Sequence, residues 1–148
     1  GCSLFSEPQN KYMDNGLNCS GFVSWVLLNA GFDVKDVGAG FSNNSDLTDF
    51  GDLVKLNDMT VKNIKVGDLL HSEHSGGHIG IIIGIDDKYI YVAQALWRMA
   101  PISLTKRSNN LNAVQITKYT YKEIQNVLPD LVMMDKLYKE DGNLTNMW

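Results

Sequence analysis

Two side chains able to do covalent chemistry stand out from the rest, Cys19 and His78. Cys19 lies in the stretch G-L-N-C-S-G-F-V-S-W-V-L-L-N-A-G-F (16 to 32), between Asn18 and Ser20 at the head of an apolar run. Asn18 is a good N-cap, so Cys19 falls at the first helical position, where orphan N–H groups and the positive end of the helix dipole favour a thiolate. Such a setting can bring a cysteine pKa from about 8.5 into the range of roughly 3.5 to 7.5, more so beside a histidine. A cysteine in this place can equally be a small hydrophobe of a core helix. Position alone leaves both readings open.

His78 heads the run H-I-G-I-I-I-G-I-D (78 to 86) after the Gly76-Gly77 pair. The rest of that strand is almost wholly apolar and belongs in the middle of a sheet, so an imidazole at its mouth needs a partner. The next strand, Y-I-Y-V-A-Q-A-L-W, supplies one polar residue able to orient the ring, Gln94, whose alternative is a buried glutamine bonded to backbone. His71 and His74 lie near a turn where nothing demands burial, and they read as surface residues.

The elements that must position these groups follow from periodicity. Phe22, Val23, Val26, Leu27 and Ala30 recur at three- and four-residue spacings, predicting a buried helix over 19–30 with Gly31 as its left-handed cap. Residues 33–65 are rich in Asn, Asp and Gly and read as a long surface excursion with a short helix at 45–49. The segments 66–71, 78–86, 88–97, 101–106 and 112–119 are rich in β-branched and aromatic residues. Their connections are too short for crossovers, which makes the sheet antiparallel, of about five strands. Thr120 and Glu123 form a capping box opening a helix, and Pro129 breaks or kinks it before a second helical stretch, D-L-V-M-M-D-K-L-Y. The class is α+β, in a single domain spanning 1–148.

Composition agrees with one globular domain: 148 residues, 44% hydrophobic and 20% charged. A formal net charge of −4 and a pI near 5.2 remove the electrostatic footprint expected of a nucleic-acid or anionic-membrane binder. No apolar run reaches the roughly 18 residues of a membrane span. Cys2 and Cys19 are too few for a disulfide scaffold and lack the paired spacing of a zinc site.

Taken together, N-C-S-G-F-V (18 to 23), V-G-D-L-L (66 to 70), G-H-I-G-I-I-I-G (77 to 84) and a strand carrying Q-A (94, 95) resemble the NlpC family of bacterial cell-wall cysteine peptidases. The resemblance covers about residues 16–95. It implies a papain-like fold with the catalytic cysteine at the N-terminus of a helix packed on a central antiparallel sheet. Cys19 would be the nucleophile, His78 the general base and acid, and Gln94 the orienting residue. It further implies hydrolysis of an amide in peptidoglycan stem peptides, between D-glutamate and a diamino acid, through a thioester and without a cofactor. Ser20, His74, Trp97 and Arg98 are the candidate pocket walls.

Asn18 stands where the family usually has Asp, and the link between the second and third catalytic positions is longer than usual. The family's Tyr-x-x-Gly-Gly segment before the cysteine helix is not found, so the N-terminal part of the family domain is expected to be missing or supplied elsewhere. Gly1-Cys2-Ser3 also resembles a bacterial lipoprotein cleavage site, without the apolar leader. The family's location implies a secreted or cell-wall-associated chain cut from a longer precursor that could carry wall-binding domains. The same residues leave two alternatives: a Cys-His acyltransferase or amidase acting on another amide, and a catalytically silent cell-wall-binding domain.

Overall fold

A computed structural model describes residues 19–32, 51–73, 77–96 and 113–140. The expected short helix at 45–49 and the expected strand at 101–106 lie outside the described residues, as does the N-cap Asn18. The architecture is α+β: a helix, then a six-stranded antiparallel sheet with further helices. Helix α1 spans Cys19–Asn29. Gly31 follows with φ 95°, its N–H donating to the Leu28 carbonyl and the Phe32 N–H to the Leu27 carbonyl. This paired closure satisfies two orphan carbonyls and turns Phe32 back onto the helix.

The strands are β1 (Asp52–Lys55), β2 (Leu69–Ser72), β3 (His78–Ile85), β4 (Tyr89–Leu96), β5 (Ala113–Thr120) and β6 (Asp130–Met133). They lie in the order β1-β6-β2-β3-β4-β5, every neighbouring pair antiparallel. Alternation along β3 separates the two faces of the core. Ile79 and Ile81 join Phe22, Val23 and Leu27 of α1, while Ile82 joins Val61, Ile124 and Leu128 on the opposite side. That second layer comes from a 3-10 helix, Thr60–Asn63, and from α2, Tyr121–Val127. The capping box is formed as expected: Glu123 N–H donates to Thr120 Oγ1 (3.1 Å) and Thr120 N–H to Glu123 Oε2 (3.0 Å).

Three expectations are corrected. The excursion over 33–65 is not all loop, because β1 forms a sheet edge and the 3-10 helix buries Val61. The stretch after Pro129 does not continue as helix. Asp130–Met133 is strand β6, paired with β1 on one side and β2 on the other, and only Asp135–Glu140 is helical (α3). Ladder bonds on both edges and burial of Leu131 and Val132 outweigh the local helical pattern. His71, finally, is buried rather than on the surface, at 1% exposure. On β2 it lies 3.4 Å through Nδ1 from Asp130 Oδ2, and that carboxylate also pairs with Lys55 of β1. The carboxylate thus links three adjacent strands.

The G-D-L segment braces the sheet. Gly67, at φ 94°, donates its N–H to the Ile82 carbonyl, and Ile82 N–H returns to the Asp68 carbonyl. The Asp68 carboxylate, 1% exposed, accepts from the backbone N–H groups of Lys65 and Met134. Tyr138 closes the same corner, its hydroxyl donating to the Gly67 carbonyl at 2.5 Å, and burial with Asp68 and Asp135 nearby pushes its phenol up to about 12.

Candidate active site

The site forms where β3 and β4 part. Their ladder runs from Ile85↔Ile90 up to Ile81↔Ala93 and stops there, although both strands continue. Ile82 N–H bonds toward β2, at the Asp68 carbonyl, so by alternation the Ile79 N–H faces β4, beyond the last ladder pair. The N-terminus of α1 fits at this opening, and the Ile79 N–H donates to the Cys19 sulfur. On its other side β3 stays zipped to β2, with His78 opposite Ser72.

Within the opening, His78 Nε2 is 2.6 Å from Gln94 Oε1, and the His78 ring also hydrogen-bonds the Cys19 thiol. With Nε2 committed to the amide, Nδ1 is the nitrogen left for the sulfur. The three residues that the sequence singles out on one helix and two strands therefore meet as a thiol, an imidazole and a carboxamide in series. Gly80 makes room for this. A Cβ there would lie 2.6 Å from Val92 Cγ1 and 3.3 Å from Gln94 Cβ, so any side chain would fill the space the amide crosses to reach His78.

Electrostatics point the same way. Burial pushes the half-buried Cys19 thiol up, but the His78 hydrogen bond and charge, with the N–H groups of Ile79 and Ser20, outweigh it and hold the thiol below its ordinary value. Burial pulls His78 down, and its bonds to Cys19 and Gln94 and the thiolate charge reverse this, holding the imidazole above its ordinary value. The two shifts favour a thiolate–imidazolium pair.

Gln94 is fully buried, and its NH2 group is satisfied by Tyr119 Oη (2.8 Å) and Thr117 Oγ1 (3.0 Å) on β5. Its alternative reading as a glutamine bonded to backbone does not hold, since it bonds the side chains of His78, Thr117 and Tyr119. Thr117 Oγ1 also accepts from Gln115 Nε2 at 2.7 Å. Sequence reasoning missed these three residues, although their alternation at 115, 117 and 119 was a signal. Strand β5 is inverted, its apolar Val114 and Ile116 facing out at 53% and 63% exposure while the polar set turns toward β4.

Of the candidate pocket walls, Ser20 is buried, and it is its backbone N–H that reaches the Cys19 sulfur. His74, Trp97 and Arg98 lie outside the described residues, as does Cys2. Among the described residues no cluster of three or more His, Cys, Asp or Glu side chains could hold a metal ion, and no helix is long and apolar enough to cross a membrane. A cavity of about 720 Å³ opens between Val61, Ile64, Ile85 and Tyr121. It sits at the far end of β3 from His78, about 23 Å along the strand. Asp58 and Asp86 on its rim are taken up by Gln125 and by Tyr91, and its lining carries no cysteine, serine or histidine. The thiol, imidazole and carboxamide in series lie instead at the opening between β3 and β4.

No protein-family model matches the chain, and no curated protein or solved structure matches it significantly.

Proposed function

We propose that the chain is a cysteine peptidase of papain-like architecture that hydrolyses an amide bond in peptidoglycan stem peptides, in the manner of the NlpC family. The observation that carries this reading is the series Cys19, His78, Gln94, with its thiol shifted down and its imidazole shifted up. Nucleophile, base and orienter in hydrogen-bond sequence is the arrangement acyl transfer requires.

In the proposed reaction the Cys19 thiolate attacks the amide carbonyl carbon, and the carbonyl oxygen takes up negative charge. Backbone N–H groups at the start of α1 are suited to hold that charge. As the tetrahedral intermediate collapses, the C–N bond breaks and His78 gives its proton to the leaving amine. A thioester remains. His78, now neutral, takes one proton from water as its oxygen attacks the thioester carbon; the C–S bond breaks, releasing a carboxylic acid that ionises to solvent and restoring the thiolate–imidazolium pair. The specificity for the bond after D-glutamate and the cell-wall location rest on the motif resemblance alone.

Digestion of purified peptidoglycan followed by mass analysis of the released fragments tests the reading. The expected products carry one new carboxylate and one new amine across the D-glutamyl bond. Release of ammonia alone, or transfer to an added amine, would make the chain an amidase or acyltransferase; retention on peptidoglycan without any product would make it a binding domain.

A further inference from the structure

We infer that Thr117 and Tyr119 are positioning residues whose hydroxyls hold the Gln94 carboxamide with its oxygen toward His78, and so fix the imidazole in the tautomer that leaves Nδ1 free for Cys19. The inference rests on the reading of Cys19, His78 and Gln94 as one catalytic unit. A carboxamide turned by 180° keeps its shape, so packing does not choose between oxygen and NH2; only hydrogen-bond partners do. Both hydrogens of the Gln94 NH2 group have acceptors, Thr117 Oγ1 and Tyr119 Oη. That leaves Oε1 as the atom 2.6 Å from His78 Nε2, where it accepts the ring N–H.

A hydroxyl could in principle serve either orientation, donating to an oxygen as readily as accepting from an NH2. In the observed arrangement Gln115 Nε2 donates to Thr117 Oγ1 at 2.7 Å and the Gln94 amide to the same oxygen at 3.0 Å, so its two lone pairs are both used by amide donors. The ring excludes the reverse: an imidazolium carries N–H on both nitrogens and accepts nothing, so only an amide oxygen can face Nε2. The register delivers the set: Gln94 lies opposite Gln115, Val92 opposite Thr117 and Ile90 opposite Tyr119. All of them share the face of the sheet that His78 and Gly80 occupy.

A flipped amide would set NH2 against the ring. It would be compatible only with an unprotonated Nε2, which moves the imidazole proton to Nδ1, where the Cys19 proton has to be received. It would also oppose the imidazolium, N–H against N–H. The polarity running from Gln115 through Thr117 and Gln94 to His78 therefore decides whether the ring can act as base toward the thiol. The titratable group in direct contact with His78 is Cys19 of α1, and the Tyr119 phenol of β5 lies one amide away.

The test is ¹⁵N NMR of the histidine ring nitrogens against pH, on the full chain, with His78 assigned through His78→Gln. Thr117→Val and Tyr119→Phe are compared singly and together. Wild type is expected to show Nε2 protonated in the neutral ring. Each single variant should lower the His78 pKa and mix the tautomers, the pair more so, and Thr117→Ser should restore the wild-type titration. Cys19 alkylation by iodoacetamide, read below its titration step, should slow by about tenfold for each pKa unit the thiol rises. Ile116→Thr, outward on the same strand, controls for weakening of β5 and should change neither readout. Wild-type tautomer and titration in both single variants would overturn the inference. Neither readout needs a substrate, so a chain that cleaves no peptide can still keep the clamp, and a working peptidase can still lack it.

Discussion

Gly80 and Gln94 face each other across the opening of β3 from β4, and the missing side chain of the first is the room occupied by the second. A methyl group at Gly80 would meet Val92 Cγ1 at 2.6 Å and Gln94 Cβ at 3.3 Å. Gly80→Ala is therefore expected to destabilise the fold by roughly 1–3 kcal/mol through overpacking. It should lower activity beyond what the remaining folded fraction explains, because the amide is pushed off His78. Denaturant unfolding and turnover measured on the same sample check both parts; full activity in a folded Gly80→Ala variant would contradict them.

Gln94 acts on His78 with a definite sign. Its oxygen helps hold the imidazole above its ordinary pKa, while His78 in turn helps hold Cys19 below its own. The charged pair then exists between a lowered thiol pKa and a raised imidazole pKa, and activity should fall on the alkaline side as His78 loses its proton. Gln94→Ala removes one of the raising contacts, so the alkaline limb should move to lower pH and turnover should drop roughly 10- to 100-fold, the scale of an orienting partner. Gln94→Glu adds charge and should move that limb to higher pH. Rate against pH for the two variants decides it; unmoved limbs in both would show that the orienting group lies elsewhere.

Cys19 should be the reactive thiol of the two in the chain. Limiting iodoacetamide near pH 7 is expected to label it ahead of Cys2, and peptide mapping reads the ratio. The expectation comes from what surrounds the sulfur, the His78 ring and the N–H groups of Ile79 and Ser20. Cys2 labelled first would contradict it.

On the far side of β2 from β3, the Asp130 carboxylate joins β1, β6 and β2 through Lys55 and His71. Asp130→Ala removes a buried acceptor from between them and should cost about 1–3 kcal/mol. Since the carboxylate's partners are Lys55 on β1 and His71 on β2, turnover per folded molecule should stay near wild type. A folded Asp130→Ala protein with lost turnover would place His71 in the chemistry instead.

How legible these features are in the sequence depends on how local their causes are. Helix α1, its glycine cap and the capping box of α2 are set by neighbours three or four residues apart, and all form as the spacing predicts. His78 at a strand mouth and Gln94 within the next strand were readable because each interrupts an apolar run. Strand β6 was not, since D-L-V-M after Pro129 suits a helix until β1 and β2, about 60 to 80 residues earlier, supply ladder partners on both sides. His71 looked exposed for the same reason, its acid partner lying 59 residues away. The faces of strand β5 are not legible from its pattern: Val114 and Ile116 alternate like a core face, yet the inward positions belong to the polar groups that Gln94 bonds.

The most direct measurement is a double-mutant cycle on Cys19 and His78 with a stem-peptide substrate. If the thiol and imidazole act as one catalytic unit, Cys19→Ala and His78→Ala should each abolish turnover, and the double variant should be no worse than either alone. Losses that add, or turnover that survives in folded Cys19→Ala, would contradict the account.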